Sequence, residues 1–220
     1  MIGIFGGTFD PVHNGHIETV EHVLTALDLE QVRLVPLRQA VHREQPIATA
    51  QQRLDLLKAA TESHNKLHNK LVVDDCEINR PGGSYTVDTL EAMVQSFPEK
   101  KLCLIIGSDA FNGFESWKAP DKILSLSHLA VMQRPDARVI ESKNKFIANL
   151  LKARQVVSYE ELQQYSSGKI LFVKVPQINI SSTMIRDKLA RNENINMLVP
   201  AEVNQLIQHW QLYQGKTRDA

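Results

Sequence analysis

The chain has 220 residues, enough for one large α/β domain and few for two. Apolar residues make up 43% of it, which supplies a sizeable core and excludes global disorder. The 25 Lys and Arg residues balance the 25 Asp and Glu residues, so nothing global favours nucleic acid or an anionic membrane, and any anion site must be local.

Two cysteines, Cys76 and Cys103, stand far apart in no metal or redox spacing, which fits a reducing cytoplasm. No basic region followed by an apolar stretch opens the chain, and no run nears the ~20 apolar residues of a membrane span. A single cytoplasmic domain over residues 1–220 is expected.

Residues 1–5 are a short apolar run of strand formers. Gly6 and Gly7 punctuate it, and Gly15 and His16 open a segment with helical spacing. Strand, glycine-bearing loop and helix start is the order in which an α/β sheet presents backbone N–H groups and a helix N-terminus to a phosphate. The loop is neither G-x-x-x-x-G-K-[ST] nor G-x-G-x-x-G. It reads GGTFDPVHNGH over residues 6–16. With Asn14 as N-cap, His16 falls in the first helical turn and His13 just before it. Both imidazoles then face what the helix N-terminus faces. Taken alone, the glycines also fit a tight turn and the histidines a solvated surface. A zinc site would need a further ligand, and nothing nearby supplies one.

Residues 15–27 carry Ile17, Val20, Val23, Leu24 and Leu27 at helical spacing, and residues 31–36 read as a second strand. Strand, helix, strand is a βαβ unit, whose crossover implies a parallel sheet. A polar loop over residues 37–46, with Arg38, His42 and Arg43, leaves the end of that strand. A helix follows at 49–63, with Leu54, Leu57 and Ala60 or Thr61 on one face, and a strand at 71–74. Residues 75–85 form a second loop. A helix is predicted at 86–97 and the clearest buried strand at 101–106. Gly107-Ser108-Asp109 follows at once, with Ser108 or Asp109 placed to cap a short helix, and Phe111, Phe114 and Trp117 cluster there. Residues 121–126 are predicted helical, 128–132 a strand, 145–154 an amphipathic helix and 170–175 the last strand; 159–165 is ambiguous. Helices close the chain at 181–191 and 201–213, before a frayed tail at 216–220.

The segment ISSTMIR, residues 180–186, forms a second motif. With Ser181 as N-cap, Ser182 and Arg186 lie four apart on one helix face. Ser182, Thr183 and Arg186 then gather hydroxyls and a guanidinium around free helical N–H groups, which makes an anion site. By itself the segment also fits a serine-capped surface helix.

The two motifs together resemble the signature pair of the nucleotidyltransferase superfamily with a Rossmann-like fold and an H-x-G-H motif, here His13-Asn14-Gly15-His16. The runs EINRPGGSYT and GSDAFNGFESW, together with Arg134-Pro135, look like the bacterial nicotinate-nucleotide adenylyltransferase family. The resemblance runs from Gly3 to about Tyr213. One departure is the loop at 37–46, which keeps the charged pair His42-Arg43 without the usual preceding Pro-Pro.

The resemblance implies a doubly wound, mainly parallel α/β sheet flanked by helices. It implies transfer of AMP from ATP to nicotinate mononucleotide in NAD biosynthesis, giving nicotinate adenine dinucleotide and pyrophosphate. His13, His16 and Arg186 would be catalytic. Gly6, Gly7, Thr8, Phe9, Gly107, Asp109, Ser181, Ser182 and Thr183 would join them on ATP. His42, Arg43, Ser84, Tyr85, Thr86, Trp117 and Arg134 would meet the mononucleotide. Mg²⁺ would enter with ATP, held by phosphates and water, with no metal ligand from the protein. A sister enzyme using nicotinamide mononucleotide or phosphopantetheine, and a non-catalytic nucleotide sensor, are the competing readings.

Overall fold

A computed structural model describes residues 1–41, 44–64, 69–133 and 144–214. His42, Arg43, Arg134, the stretch 136–143 and the tail at 216–220 lie outside the described residues. Seven strands, β1 (Ile2–Gly7), β2 (Gln31–Pro36), β3 (Leu71–Val73), β4 (Leu102–Gly107), β5 (His128–Gln133), β6 (Gln155–Val156) and β7 (Ile170–Lys174), form one sheet in the order β3-β2-β1-β4-β5-β7-β6. The pairs β1–β4, β4–β5, β5–β7 and β6–β7 run parallel. Ile4, Leu104, Leu129 and Ile170 stand at one level across four strands, and all are buried. Strands covered on both faces read as continuous apolar runs, which is why LCLIIG was plain in the sequence.

The helices are α1 (Asn14–Ala26), α2 (Ala50–His64), α3 (Cys76–Asn79), α4 (Thr86–Ser96), α5 (Ser108–Asn112), α6 (Pro120–Leu126), α7 (Lys145–Arg154), α8 (Tyr159–Gln163), α9 (Ser182–Ala190) and α10 (Ala201–His209). The strand order reverses between β1 and β4, because the chain runs outward through β2 and β3 and then returns. Ligands of open α/β sheets bind beyond the carboxyl ends of the strands at such a reversal. Gly6-Gly7 ends β1 and Gly107 ends β4 there.

Contacts divide the chain into two units. The first comprises Met1–Gly6, Val20–Arg33 and Ser84–Gln177. Its core gathers the β4, β5 and β7 side chains with Phe111 and Phe114, and Phe111 meets Phe172 edge-on at 5.9 Å. His128 is fully buried there; its Nδ1 accepts from the Lys169 N–H, and its Nε2 faces the Tyr165 carbonyl, both at 3.3 Å. Burial lowers its pKa to about 4. The second unit comprises Gly7–Thr19, Leu34–Gly83 and Ile178–Ala220. In it α2 lies against α10, burying Leu56, Leu57, Ala60, Val203 and Ile207.

The elements depart from expectation in a few places. Gly6 and Gly7 continue β1 and do not turn. Asn14 is the first residue of α1, so the capping position falls to His13. Gly107 precedes α5 in extended conformation, and Ser108 and Asp109 are inside the helix, so neither caps it by side chain. The ambiguous stretch forms α8, capped by Ser158, whose Oγ accepts from the Glu161 N–H at 3.2 Å. The short helix α3 and the two-residue edge strand β6 are too brief for periodicity to reveal.

Candidate active site

At the head of α1 the two histidines cap one another. The His16 N–H donates to the His13 carbonyl at 2.9 Å and lies 3.3 Å from His13 Nδ1, while the His13 N–H donates to His16 Nδ1 at 3.3 Å. Residues three apart exchanging side-chain acceptors for backbone donors form a capping box, built here from imidazoles in place of Ser and Glu. The rings stack with centroids 3.6 Å apart. Burial lowers the pKa of His13 to about 4. Burial, and then the neighbouring His13, hold His16 well below the usual imidazole value. A neutral imidazole whose Nδ1 accepts carries its proton on Nε2. Each ring is therefore a neutral Nε2–H donor at a helix N-terminus, where the backbone dipole already favours an anion.

The small residues of the motif make room for these rings. A Cβ on Gly15 would sit 3.1 Å from His13 Nδ1, and one on Gly7 would sit 2.8 Å from Phe9 Cζ. Phe9, at φ 51°, is buried and meets His16 edge-on at 5.1 Å. The Oγ1 of Thr8 is buried and makes no hydrogen bond among the described residues.

The second motif reaches the same loop. Ser181 caps α9, its Oγ accepting from the Met184 N–H at 3.2 Å, as the sequence predicted. Ser182 Oγ donates to the Pro11 carbonyl at 2.9 Å. Arg186 Nη1 donates to the Asp10 carbonyl at 2.8 Å, and Nη2 to Thr183 Oγ1 at 3.2 Å. His13, His16, Ser182, Thr183 and Arg186 thus gather around residues 9–13 of one unit, though 166 to 173 positions separate the two motifs in the chain (182−16 and 186−13).

Sequence reasoning missed two residues that hold this loop. Asp10, 4% exposed, accepts from the Ile47 and Ala48 N–H groups at 2.9 and 3.1 Å. Arg53, 1% exposed, donates to the carbonyls of Thr8 at 2.8 Å, Leu37 at 2.7 Å, Ala48 at 3.3 Å and Arg38 at 3.4 Å. The signal for Arg53 was present, because it shares the stripe of Leu56, Leu57 and Ala60, where a solvated arginine does not belong. The loop that lacks its prolines is clasped at its base by Gln45. The Gln45 amide accepts from Ala40 N–H at 3.3 Å and donates to the Ala40 carbonyl at 2.8 Å.

The remaining expected residues belong to the first unit, apart from those outside the described residues. Gly6 and Gly107 have open space where a Cβ would stand. Asp109 is exposed on α5. Ser84, Tyr85 and Thr86 are half-buried at the start of α4, and Tyr85, its N-cap, makes no side-chain capping bond. Trp117 is half-buried, 5.4 Å from the Phe114 ring. The adjacent Lys118 bridges the Asp88 carboxylate at 3.0 Å and lies 4.4 Å over the Tyr85 ring, so it ties the Trp117 turn to the head of α4. Among the described residues no three His, Cys, Asp or Glu side chains are grouped to hold a metal ion, and no helix is long and apolar enough to cross a membrane.

The profile of the cytidylyltransferase-like family matches residues 4–188. A protein of Methylococcus capsulatus named "Probable nicotinate-nucleotide adenylyltransferase" is 37% identical over 213 residues, 97% of this chain and 99% of that one. A protein of Pseudomonas syringae pv. tomato with the same name is 39% identical, over 99% of this chain and 96% of its own. The fold is also that of the Plasmodium falciparum nicotinic acid mononucleotide adenylyltransferase complexed with NaAD, with a TM-score of 0.72 at 19% identity over 96% of both chains.

Proposed function

The chain belongs to the cytidylyltransferase-like family and, within it, to the nicotinate-nucleotide adenylyltransferases; on that premise we propose how it transfers AMP from ATP to nicotinate mononucleotide, releasing pyrophosphate and nicotinate adenine dinucleotide. The nucleophile is the phosphate of the mononucleotide. A phosphate monoester has its second pKa near ~6 and is largely dianionic at neutral pH, so no general base is needed. Catalysis reduces to holding two anions in line and stabilising the charge that develops.

The observation that carries this reading is the mutual capping of His13 and His16, which yields two Nε2–H donors and no base. His16 donates to the α-phosphate under attack, and His13 to the neighbouring phosphate. Gly6, Gly7, Thr8 and Phe9 cradle the same region, and the unpaired Thr8 hydroxyl finds in a phosphate the acceptor it lacks. Ser181, Ser182, Thr183 and Arg186 receive the β- and γ-phosphates that leave as pyrophosphate. Mg²⁺ would come as part of the substrate Mg-ATP, held by phosphates and water, and would neutralise phosphate charge.

Gly107 leaves room for the nucleoside, and Asp109 accepts from a ribose hydroxyl. Trp117 stacks on the pyridine ring, and the N-terminus of α4 at Ser84, Tyr85 and Thr86 takes the nicotinate carboxylate. His42, Arg43 and Arg134 complete the mononucleotide site. The protein works as one nucleotidyltransferase domain in the cytoplasm.

The test is pyrophosphate release with Mg-ATP and, in parallel, nicotinate mononucleotide, nicotinamide mononucleotide and phosphopantetheine. Release well above the others with the nicotinate compound is expected. Release with another acceptor alone would discard the assignment of Tyr85, Thr86 and Trp117, and no release despite ATP binding would overturn the reading.

A further inference from the structure

A carboxylate in a phosphate-binding loop needs a reason, because it competes with the phosphate for nearby cations. Asp10 Oδ2 lies 4.0 Å from Arg186 Nη1, yet that nitrogen bonds the Asp10 main-chain carbonyl instead, at 2.8 Å. The carboxyl oxygens are otherwise engaged. Oδ2 accepts from the Ile47 N–H at 2.9 Å. Oδ1 accepts from the Ala48 N–H at 3.1 Å and from the Tyr213 hydroxyl at 2.8 Å.

Tyr213 reaches this position from beyond the end of α10 at His209. The chain there passes through the left-handed region twice, at Gln211 (φ 51°) and at Tyr213 itself (φ 63°). Side chains other than glycine disfavour that region, and such residues persist where their surroundings hold them. Tyr213 is 7% exposed, and burial followed by the Asp10 carboxylate pushes its hydroxyl well above the usual phenol value, so it remains a donor.

We infer that Tyr213 is a positioning residue for nucleotide binding: by holding Asp10 Oδ1 it fixes the orientation of the carboxylate, keeps Oδ2 from closing on Arg186 and leaves the guanidinium to the phosphates. This rests on the reading of Arg186 as a phosphate ligand. Without the hydroxyl, the carboxylate loses one of the three donors that fix its orientation, and Arg186 moves from the carbonyl onto Oδ2. The cost then falls on ATP binding and spares the mononucleotide.

The experiment compares Tyr213→Phe, Arg186→Ala and the double variant with wild type by steady-state kinetics, varying each substrate against a saturating partner. Ile207→Val on α10 serves as a control for destabilisation without contact to Asp10, with melting temperatures recorded for all. Tyr213→Phe is expected to raise the KM for Mg-ATP about fivefold, the worth of one net hydrogen bond, with kcat and the mononucleotide KM unchanged. The substitution should add nothing in the Arg186→Ala background, and Ile207→Val should leave the KM for Mg-ATP unchanged. An equal rise in that background, a matching rise with Ile207→Val, or no rise while Arg186→Ala does raise it, overturns the inference. An Arg186→Ala variant with an unchanged KM for Mg-ATP would instead overturn the site assignment beneath it.

Discussion

At the scale of single residues, the chemistry rests on where two protons sit. His13 and His16 each receive a backbone N–H at Nδ1, and burial keeps both neutral. A neutral donor stabilises developing charge without the desolvation cost of a buried cation. His16→Ala is expected to lower kcat by a factor on the order of 10²–10³, as for loss of one transition-state donor. Unchanged turnover in a folded variant would remove His16 from the mechanism. Gly15→Ala is a subtler probe. Its Cβ, 3.1 Å from His13 Nδ1, forces the ring aside while leaving the helix intact. The variant should keep most of its melting temperature and lose most of its turnover; loss of both in proportion would mean that Gly15 serves folding alone. The motif histidines were legible in the sequence because they stand in an eleven-residue string after a first strand that, with ISSTMIR, resembles a known signature pair. Their mutual capping was not, because it depends on which ring nitrogen faces which N–H.

At the scale of elements, two helices hold the loop that carries the chemistry. Ser181 caps α9 and fixes the direction in which Ser182 and Arg186 leave it. Ser181→Ala should cost about 1 kcal/mol of stability, read as a lower urea midpoint. A midpoint unchanged from wild type would show that the cap does not hold the helix. Arg53, on α2, spans four carbonyls including that of Thr8. Arg53→Leu would leave those carbonyls buried and unpaired, so a loss of about 3 kcal/mol or more is expected in the same measurement. A loss under about 1 kcal/mol would mean that water or relaxation replaces the donors. The cap of α9 could be read from Ser181 and the apolar spacing behind it. The apolar stripe marked Arg53 as out of place, but the partners of Asp10 and Arg53 could not be read, because their backbone partners lie up to 45 positions away and the Tyr213 hydroxyl 203, which no local pattern encodes.

At the scale of the whole molecule, the sheet was legible because its strands are covered runs of Ile, Leu and Val, and because a helix between strands enforces parallel pairing. What remained hidden was of short range or without period, as with α3, β6 and the start of α5. The buried histidines give the fold a pH dependence whose sign is fixed. His13 and His128 have folded pKa values near 4 against 6.5 in the unfolded chain, and His16 shifts the same way. Between those values the unfolded state binds the extra protons, so stability is full above about pH 7 and falls as pH drops from 6.5 toward 4. The urea midpoint should therefore be lower at pH 5 than at pH 7.5, and His128→Asn should reduce that difference. A midpoint independent of pH across this window would contradict the burial of these rings.

The mechanism turns on the protonation state of one pair, and nitrogen-15 NMR of the histidine rings at pH 7 reads it directly. Both His13 and His16 are predicted to be neutral, with the proton on Nε2 and Nδ1 accepting. An imidazolium signal from either ring, or a proton on Nδ1, would contradict the donor arrangement from which the mechanism is built.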